Sequence, residues 1–268
     1  MHLSAKINSS GGRLLMFSDL ISKSVIRDNI NILIPIEKKH EELILISHGS
    51  GGIGSAEYNV ARYFISRGYS VGILDYFSKY GIDKIIWRAE PVELTDEYDV
   101  TFYQMLTDIQ WPDEPIIHIG FSLGGLLGLL NAERFVKNFC YYPGILFYTQ
   151  ELLDKNYLNT TIFKAENDNW CTDTDEFVSK CSMPPVVESC PAGHGFMKPD
   201  YDYTIPVAMF RSNETVLPLD TARQLRVSFK QLSSMFDYHV ETVRLKSDWA
   251  SMIATLNYIR SSISNQVE

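Results

Sequence analysis

Short apolar segments alternate with amphipathic ones along most of this chain. The apolar segments are rich in β-branched residues and only a few residues long, which is typical of buried strands. They lie at residues 29–36, 42–47, 70–74, 115–120, 138–142, 160–164 and 185–189. Segments with helical spacing lie at residues 56–66, 98–110, 123–135, 174–180, 221–235 and 248–262. The pattern therefore predicts seven strands, of which the segment at 185–189 is the last, and six helices.

This alternation predicts an α/β architecture. Nearly continuous apolar strands separated by helices indicate a mostly parallel central sheet with helices on both faces, which makes three layers. The sequence contains no internal repeat, low-complexity tract or long linker, so residues 1–268 are expected to form a single domain. In such sheets the active site lies at the carboxyl ends of the strands, and functional residues are expected in the loops that follow them.

Charge and hydropathy argue against two classes of partner. The net charge of −9 gives a surface that repels phosphate backbones, so no nucleic-acid partner is expected. No apolar run approaches the roughly 18 residues that a membrane helix needs. Residues 1–17 lack the basic and apolar regions of a signal peptide. We therefore expect no membrane partner and a cytoplasmic location.

The segment Gly-Phe-Ser-Leu-Gly-Gly at residues 120–125 carries the clearest chemical signal. It has the form G-x-S-x-G between a predicted strand and a predicted helix, which places Ser122 on a very tight turn. Glycine is needed on both sides of such a serine because a side chain there would clash. The N–H of Leu123 then lies at a helix N-terminus, where it would stabilise an oxyanion. The alternative is a glycine-rich loop that only permits close helix–strand packing.

A second oxyanion donor is predicted in the segment His-Gly-Ser-Gly-Gly at residues 48–52, directly after an earlier strand. Its glycines let backbone N–H groups converge on an anion, and the N–H of Ser50 is the predicted donor. A dinucleotide-binding loop is the alternative, but the segment lacks the G-x-G-x-x-G spacing.

A serine needs a base to accept its proton, and His194 is the candidate. It follows the last predicted strand and lies between two glycines, in a loop that can present an imidazole. A solvent-exposed loop histidine is the alternative. Two other histidines are interpreted as structural: His118 lies within the strand that leads to Ser122, and His48 opens the second glycine-rich loop and is expected to brace it.

The acid that orients the base is predicted in the loop after the strand at 160–164, where Asp168 is the candidate. Asp173 and Asp175 compete with it, but both lie at the start of a predicted helix, where acidic residues are favoured. A turn-forming aspartate is the alternative for Asp168. The chain order of serine, acid and histidine is that of α/β-hydrolases and differs from two other common serine-hydrolase layouts.

Four cysteines raise the question of a metal site. Cys171, Cys181 and Cys190 lie close together and near the candidate histidine, but their gaps contain no C-x-x-C pair, and close pairing of ligands is the usual zinc signature. We therefore expect free thiols and no metal. A disulfide between Cys181 and Cys190 is the alternative.

Five segments together resemble the dienelactone hydrolase family of the α/β-hydrolase superfamily. They are HGSGG at 48–52, GFSLGG at 120–125, YYPG at 141–144, ENDNWCT at 166–172 and PAGHGF at 191–196. The resemblance implies an α/β-hydrolase fold for most of residues 25–240. It matches Ser122, Asp168 and His194 to the family's catalytic triad, and Ser50 and Leu123 to its oxyanion donors. The namesake hydrolases use a cysteine nucleophile, so the serine at 122 favours general ester chemistry. Residues 202–217 cannot be placed by this resemblance.

These residues predict a serine hydrolase that cleaves a small-molecule ester or lactone through an acyl-enzyme on Ser122, with no cofactor. Three aromatic residues on loops at the same edge, Tyr76, Tyr142 and Trp170, are candidates to line the substrate pocket, and ordinary packing is the alternative for each. The same triad would also serve an acyltransferase, a thioesterase or a peptidase. A binding protein that keeps the fold without catalysis is the remaining alternative.

Overall fold

A computed structural model describes residues 16–85, 97–171, 173–199, 201–211 and 216–264. The strands within these residues are β1 (Ile21–Arg27), β2 (Ile30–Pro35), β3 (Leu43–Ser47), β4 (Ser70–Leu74), β5 (Glu97–Thr101), β6 (Ile116–Phe121), β7 (Lys137–Tyr141), β8 (Tyr148–Thr149), β9 (Thr160–Ala165), β10 (Val186–Cys190), β11 (Asp202–Arg211), β12 (Val216–Leu217), β13 (Arg226–Ser228) and β14 (Asp237–Lys246). The helices are α1 (Ser55–Ile65), α2 (Phe102–Thr107), α3 (Leu123–Leu130), α4 (Gln150–Leu153), α5 (Thr174–Lys180), α6 (Leu219–Arg223), α7 (Phe229–Met235) and α8 (Trp249–Ser264).

An eight-stranded sheet organises the molecule, with the strand order β1-β2-β4-β3-β6-β7-β9-β10. The six strands from β4 to β10 in this order run parallel to one another, whereas β2 pairs antiparallel with both β1 and β4 at one edge of the sheet. A sharp strand-to-helix turn carries the chain from β6 to α3. This sheet and this turn define the α/β-hydrolase fold, so the predicted fold class is confirmed.

Two apolar cores lie on opposite faces of the sheet, because successive side chains of a strand point to opposite sides. In β3, Leu43 and Leu45 belong to the core beneath α2 and α3, whereas Ile44 and Ile46 belong to the core beneath α1 and α8. The helices thus cover both faces and complete three layers. Among the described residues, the helices are all too short or too polar to cross a bilayer.

The seven predicted strands all form, each within one residue of its predicted bounds at either end. The pattern did not predict β1, and the reason is its environment. β1 lies at the edge of the sheet with most of its side chains exposed, so it lacks the continuous apolar run of a buried strand.

Two predicted helices are partly wrong, and both errors have one cause. Residues 98–110 begin as β5 and become helical only in α2, and residues 221–235 form α6, β13 and α7 rather than one helix. β5 and β13 pair with each other antiparallel, although more than a hundred residues separate them along the chain. This long-range pairing overrides the helical spacing of each segment taken alone.

The segment at 185–189 was predicted to be the last strand, and this is wrong. β11 and β14 follow it and pair antiparallel over ten residues each. β11 accounts for most of the stretch 202–217 that the sequence left unassigned, and β12, at the end of this stretch, pairs with β8. Residues 212–215 lie outside the described residues.

A buried polar network joins three central strands. His118 of β6 donates a hydrogen bond from Nδ1 to Oδ1 of Asn138 on β7 (2.8 Å) and accepts one at Nε2 from Oγ of Ser47 on β3 (2.9 Å). Asn138 Nδ2 in turn donates to the carbonyl oxygen of Gly128 in α3. Burial lowers the pKa of His118 to about 4, so the imidazole is neutral at physiological pH. The structural role expected for this histidine is confirmed.

Candidate active site

Ser122 lies on a tight turn between β6 and α3, with a left-handed φ of 50° and a ψ of −111°. A Cβ at Gly120 would collide with the carbonyl oxygen of Gly124, and a Cβ at Gly124 would collide with that of Ser47. The glycines are therefore required by close backbone approach, for the reason given by the sequence pattern. The N–H of Ser122 donates to the carbonyl oxygen of Tyr141 (3.0 Å), which ties the turn to β7.

The two predicted oxyanion donors flank this turn. A Cβ at Gly49 would lie 3.4 Å from Cβ of Ser122, so the loop that carries Ser50 packs directly against the serine. A Cβ at Gly144 would lie 3.5 Å from Oγ of Ser122 and 3.6 Å from the nitrogen of Leu123. The glycine at 144 thus leaves space beside both the hydroxyl and one donor. Within the described part of the chain, neither the Ser50 nor the Leu123 N–H donates to another group.

Asp168 and His194 form a buried pair. Nδ1 of His194 donates to Oδ2 of Asp168 (2.8 Å), and the aspartate side chain is only 1% exposed. Oδ1 of Asp168 accepts the N–H groups of Trp170 (2.7 Å) and Cys171 (3.0 Å). Because an ionised carboxylate only accepts hydrogen bonds, the imidazole carries its proton on Nδ1 and leaves Nε2 free to act as a base.

The electrostatics of Asp168 keep it ionised. Burial alone would raise the pKa of its carboxyl, but the neighbouring His194 imidazole and three hydrogen bonds outweigh this effect and hold the pKa below its usual value. Asp175, a competing candidate, pairs instead with Lys164 and is largely exposed. Asp173, the other competitor, directly precedes α5.

Ser122 and His194 line the same cavity. Among the described residues, His194 is hydrogen-bonded to Asp168 and not to Ser122. Hydrogen bonds between a nucleophile and its base are often long in the absence of substrate and tighten when substrate binds. The structure therefore brings Ser122 and His194 to one cavity, with Asp168 hydrogen-bonded to His194, and makes one of the two hydrogen bonds that a catalytic triad requires.

Two of the three predicted pocket aromatics lie at this cavity. The rings of Tyr142 and Trp170 flank His194, with ring centroids 4.8 and 4.7 Å from that of the imidazole. Both side chains line the cavity. They restrict the imidazole from two sides and contribute apolar surface beside the candidate nucleophile.

Tyr76, the third predicted pocket aromatic, lies elsewhere and does not line this cavity. It is buried, its hydroxyl donates to the carbonyl oxygen of His48 (2.7 Å), and its ring stacks on the His48 imidazole at 4.2 Å. His48 in turn donates from Nδ1 to the carbonyl oxygen of Gly49 (2.7 Å). Burial lowers the pKa of His48 to about 4. Tyr76 and His48 thus brace the loop that carries Ser50.

The cavity has a volume of about 220 Å³ and is bounded in part by elements that the sequence did not predict. Ile205 and Val207 of β11 and Leu245 of β14 form an apolar wall. Lys84 and Lys198 contribute positive charge. A signal for the wall was present in the sequence, because apolar residues recur at every second position from 203 to 207, as they do in a half-buried strand.

Cys171 also lies at the site, and the sequence did not predict its position there. Its Sγ, a carboxylate oxygen of Asp168 and a ring nitrogen of His194 lie within 4.8 Å of one another. Burial raises the pKa of the Cys171 thiol well above its usual value, the charge on Asp168 raises it further, and a hydrogen bond with Ser122 acts in the opposite direction. All four cysteines are free thiols.

Comparison with known proteins finds similarity in structure. No protein-family model matches the sequence, and no curated protein is significantly similar to it. A serine hydrolase homologue from Coxiella burnetii is 14% identical with a TM-score of 0.47, over 66% of this chain and 90% of that one. A putative dienelactone hydrolase from Klebsiella pneumoniae is 12% identical with a TM-score of 0.45, over 62% and 81%. Esterase 2 from Thermogutta terrifontis is 15% identical with a TM-score of 0.45, over 67% and 85%. The fold assignment rests on this chain's own sheet order and on its turn at Ser122.

Proposed function

We propose that this chain is a serine hydrolase that cleaves a carboxylic ester or lactone through an acyl-enzyme on Ser122. The observation that carries the proposal is the 2.8 Å hydrogen bond between Asp168 and His194, at a cavity that Ser122 also lines. This bond holds the imidazole in the tautomer whose Nε2 can accept a proton, which is the role of the acid in a catalytic triad.

In the proposed acylation step, Oγ of Ser122 attacks the carbonyl carbon of the ester while Nε2 of His194 accepts the hydroxyl proton. The carbonyl oxygen becomes an oxyanion, and the N–H groups of Ser50 and Leu123 stabilise it. Each such donor contributes roughly 3–4 kcal/mol to lowering the barrier. The bond to the leaving alcohol then breaks, and the imidazolium returns the proton to that alcohol. Asp168 stabilises the imidazolium while it exists.

In the proposed deacylation step, water takes the place of the serine hydroxyl. His194 removes a proton from the water as its oxygen attacks the acyl carbon, and the same two donors hold the second oxyanion. The bond to Oγ breaks, the proton returns to Ser122, and the carboxylic acid leaves. Every proton is thus carried by one imidazole, so a single base serves both halves of the reaction.

The charges at the cavity favour an anionic ester. Lys84 and Lys198 line it, and its described lining includes no acidic side chain, although the chain as a whole has a net charge of −9. Nζ of Lys198 would lie 3.3 Å from a Cβ at Gly51, so the cation lies against the loop that carries Ser50. A cation beside an apolar wall attracts a substrate with one anionic group and an apolar body.

A screen of small esters and lactones with purified protein tests the proposal. Each acyl group is offered as a neutral and as an anionic member, and Ser122→Ala is run in parallel. We expect hydrolysis that favours the anionic members, labelling of the native chain by a fluorophosphonate probe, and a loss of at least about 10³-fold in kcat in the variant with its melting temperature nearly unchanged. Turnover retained in Ser122→Ala would show that the nucleophile is wrong.

Competing acceptors distinguish hydrolysis from the other reactions of the same triad. Adding an alcohol or amine during turnover reports acyl transfer, because the acyl-enzyme would then yield a new ester or amide in place of the acid. Matched thioester and amide substrates report thioesterase and peptidase activity. A chain that is not labelled by the fluorophosphonate and turns over none of these substrates would instead be a binding protein of this fold.

A further inference from the structure

Three different metal-binding side chains meet at the candidate site. The Sγ of Cys171, a carboxylate oxygen of Asp168 and a ring nitrogen of His194 all lie within 4.8 Å of one another. Thiolate, carboxylate and imidazole are the donors that Zn²⁺ uses in proteins. The usual zinc motif does not reveal this group of donors. Asp168 and Cys171 have the spacing D-x-x-C rather than C-x-x-C, and His194 follows on a separate loop.

The loop that carries two of these donors is held in place by its own backbone. Oδ1 of Asp168 accepts the N–H of Cys171 (3.0 Å) and that of Trp170 (2.7 Å), so a tight turn sets the carboxylate and the thiol side by side. The side chains of Asp168 and His194 are 1% and 7% exposed. Supporting hydrogen bonds and burial of this kind are what orient ligands in metal sites.

The spacing is close to that of a metal site. Bonds of roughly 2.0–2.3 Å to zinc put neighbouring ligand atoms of a tetrahedral site roughly 3.3–3.7 Å apart. The donors here would move by about 1 Å to reach that spacing. The charges also balance, since a carboxylate and a thiolate together neutralise a divalent cation, and burying a neutral complex is far less costly than burying an unpaired charge.

We propose that a soft divalent cation such as Zn²⁺ binds to Asp168, Cys171 and His194 and reversibly inhibits the hydrolase; the inhibitory part of this proposal rests on the proposed function. On binding, the Cys171 thiol loses its proton to solvent and its sulfur bonds to the metal. Whichever ring nitrogen of His194 binds the metal, the ring proton resides on the other one. If Nε2 binds, the base is occupied, and if Nδ1 binds, Nε2 is already protonated. In both cases His194 cannot accept the proton of Ser122.

The test measures metal binding and inhibition separately. Metal-free protein is titrated with CoCl₂ and followed by the absorption that a thiolate-to-Co²⁺ charge transfer produces. Ester hydrolysis is then titrated with ZnCl₂, with each chain compared with its own rate in the absence of metal. The variants are Cys171→Ser and Cys171→Ala at the site, Cys181→Ser as a matched cysteine control, and Ser122→Ala as a chain that lacks the nucleophile but keeps the three donors.

We expect the native chain to bind one Co²⁺ with the charge-transfer band and to be inhibited by Zn²⁺, with activity restored by a chelator. Both Cys171 variants should lose the band and need at least about tenfold more Zn²⁺ for half-inhibition, whereas Cys181→Ser should keep both properties. Ser122→Ala should keep the band. The proposal would be overturned if the charge-transfer band were unchanged in both Cys171 variants, or if it were lost in Cys181→Ser. Because the Co²⁺ titration needs no substrate, a chain that binds the metal but hydrolyses nothing would overturn the proposed function and leave the metal site standing.

Discussion

Single residues at the candidate site adopt conformations that the backbone does not favour. Tyr142 has a φ of 36°, in the left-handed region where a non-glycine residue is uncommon. Its N–H donates to the carbonyl oxygen of Phe163 (2.9 Å), and its ring packs against Phe196 as well as His194. Strain of this kind persists only when the surroundings hold it, and here it turns an aromatic ring directly onto the candidate base.

At this scale the acid assignment can be tested by Asp168→Asn. The amide that replaces the carboxylate can present an N–H to Nδ1 of His194, which would then place the ring proton on Nε2 and remove the base. We expect kcat to fall by about 10⁴-fold. The measurement is steady-state hydrolysis of the best ester from the screen, with circular dichroism to establish that the variant is folded.

Asp175→Asn is the matched control for that substitution. Asp175 pairs with Lys164 on an exposed part of the same region, so its loss should leave kcat within about twofold of the native value, because an exposed ion pair contributes little. If Asp175→Asn lowered kcat by orders of magnitude and Asp168→Asn did not, the acid would be misassigned.

Among the secondary structure elements, the antiparallel pair of strands β11 and β14 supplies an apolar wall of the cavity. The side chains of β11 alternate, so Ile205 and Val207 line the cavity, whereas Thr204 and Pro206 are exposed. β14 adds Leu245 to the same wall. This strand pair thus supplies apolar surface to a site whose candidate catalytic residues all follow strands of the main sheet.

Shortening one wall residue should therefore change substrate binding and not chemistry. Ile205→Ala removes apolar contact that is the same in the ground state and the transition state, so we expect KM to rise about five- to tenfold with kcat little changed. Thr204→Ala, on the opposite side of the same strand, should leave both constants unchanged. An unchanged KM in Ile205→Ala would show that this wall does not contact the substrate.

The elements that could be predicted from the sequence are those whose pattern is local. The strand before Ser122 is a continuous apolar run, and the glycines at 120 and 124 are demanded by the turn itself, so both follow from a few adjacent residues. The pairing of β5 with β13, and of β11 with β14, depends on segments far apart along the chain or on half-exposed strands with mixed composition. The segments that contain β5 and β13 have helical spacing when taken alone, and β11 carries only a short alternation of apolar residues, at 203, 205 and 207.

At the candidate site, too, the features that depend on local sequence could be predicted and those that depend on tertiary contacts could not. Ser122, Asp168 and His194 were each indicated by their loops, and the structure places Ser122 and His194 at one cavity and Asp168 in hydrogen-bond contact with His194. Cys171 was noted near His194 along the chain but was expected to be a free thiol outside the site, because its place beside His194 depends on the turn made by Asp168. Tyr76 was misjudged for a related reason: its loop follows a strand at the correct edge, but its hydroxyl turns inward to the backbone of His48.

For the molecule as a whole, the buried histidines make stability depend on pH. The pKa of His118 is about 4 in the folded protein and near 6.5 when the chain is unfolded, so between these values the unfolded chain binds a proton that the folded chain does not. The contribution of His118 to stability is therefore fully present above pH 6.5 and is lost as the pH falls toward 4. Glu57, whose pKa burial raises, acts in the opposite direction.

Comparison of the native chain with His118→Gln isolates this effect, because Glu57 and the other groups act equally in both chains. We expect the variant to be less stable at pH 7 by about 2–4 kcal/mol, since it disturbs a buried hydrogen-bond network. The difference in the free energy of unfolding between the two chains should be about 2 kcal/mol smaller at pH 5 than at pH 7. At pH 5 the unfolded native chain binds a proton at His118 that the folded chain does not, and the variant has no such group. Urea unfolding at the two pH values measures this difference, and a difference that does not change with pH would mean that the imidazole is not held neutral.

The hydrogen bonds that run from Ser47 through His118 to Asn138 also fix the register of three central strands. They join β3, β6 and β7, and these three strands lead into the loop of Ser50, the turn of Ser122 and the glycine at 144. If β6 slipped by a single residue, Ser122 would be displaced by roughly 3.3 Å along the strand, about the length of the hydrogen bond through which it would give up its proton in the proposed reaction. Three polar side chains in the middle of an apolar sheet thereby fix the position of the Ser122 hydroxyl at the carboxyl edge of that sheet.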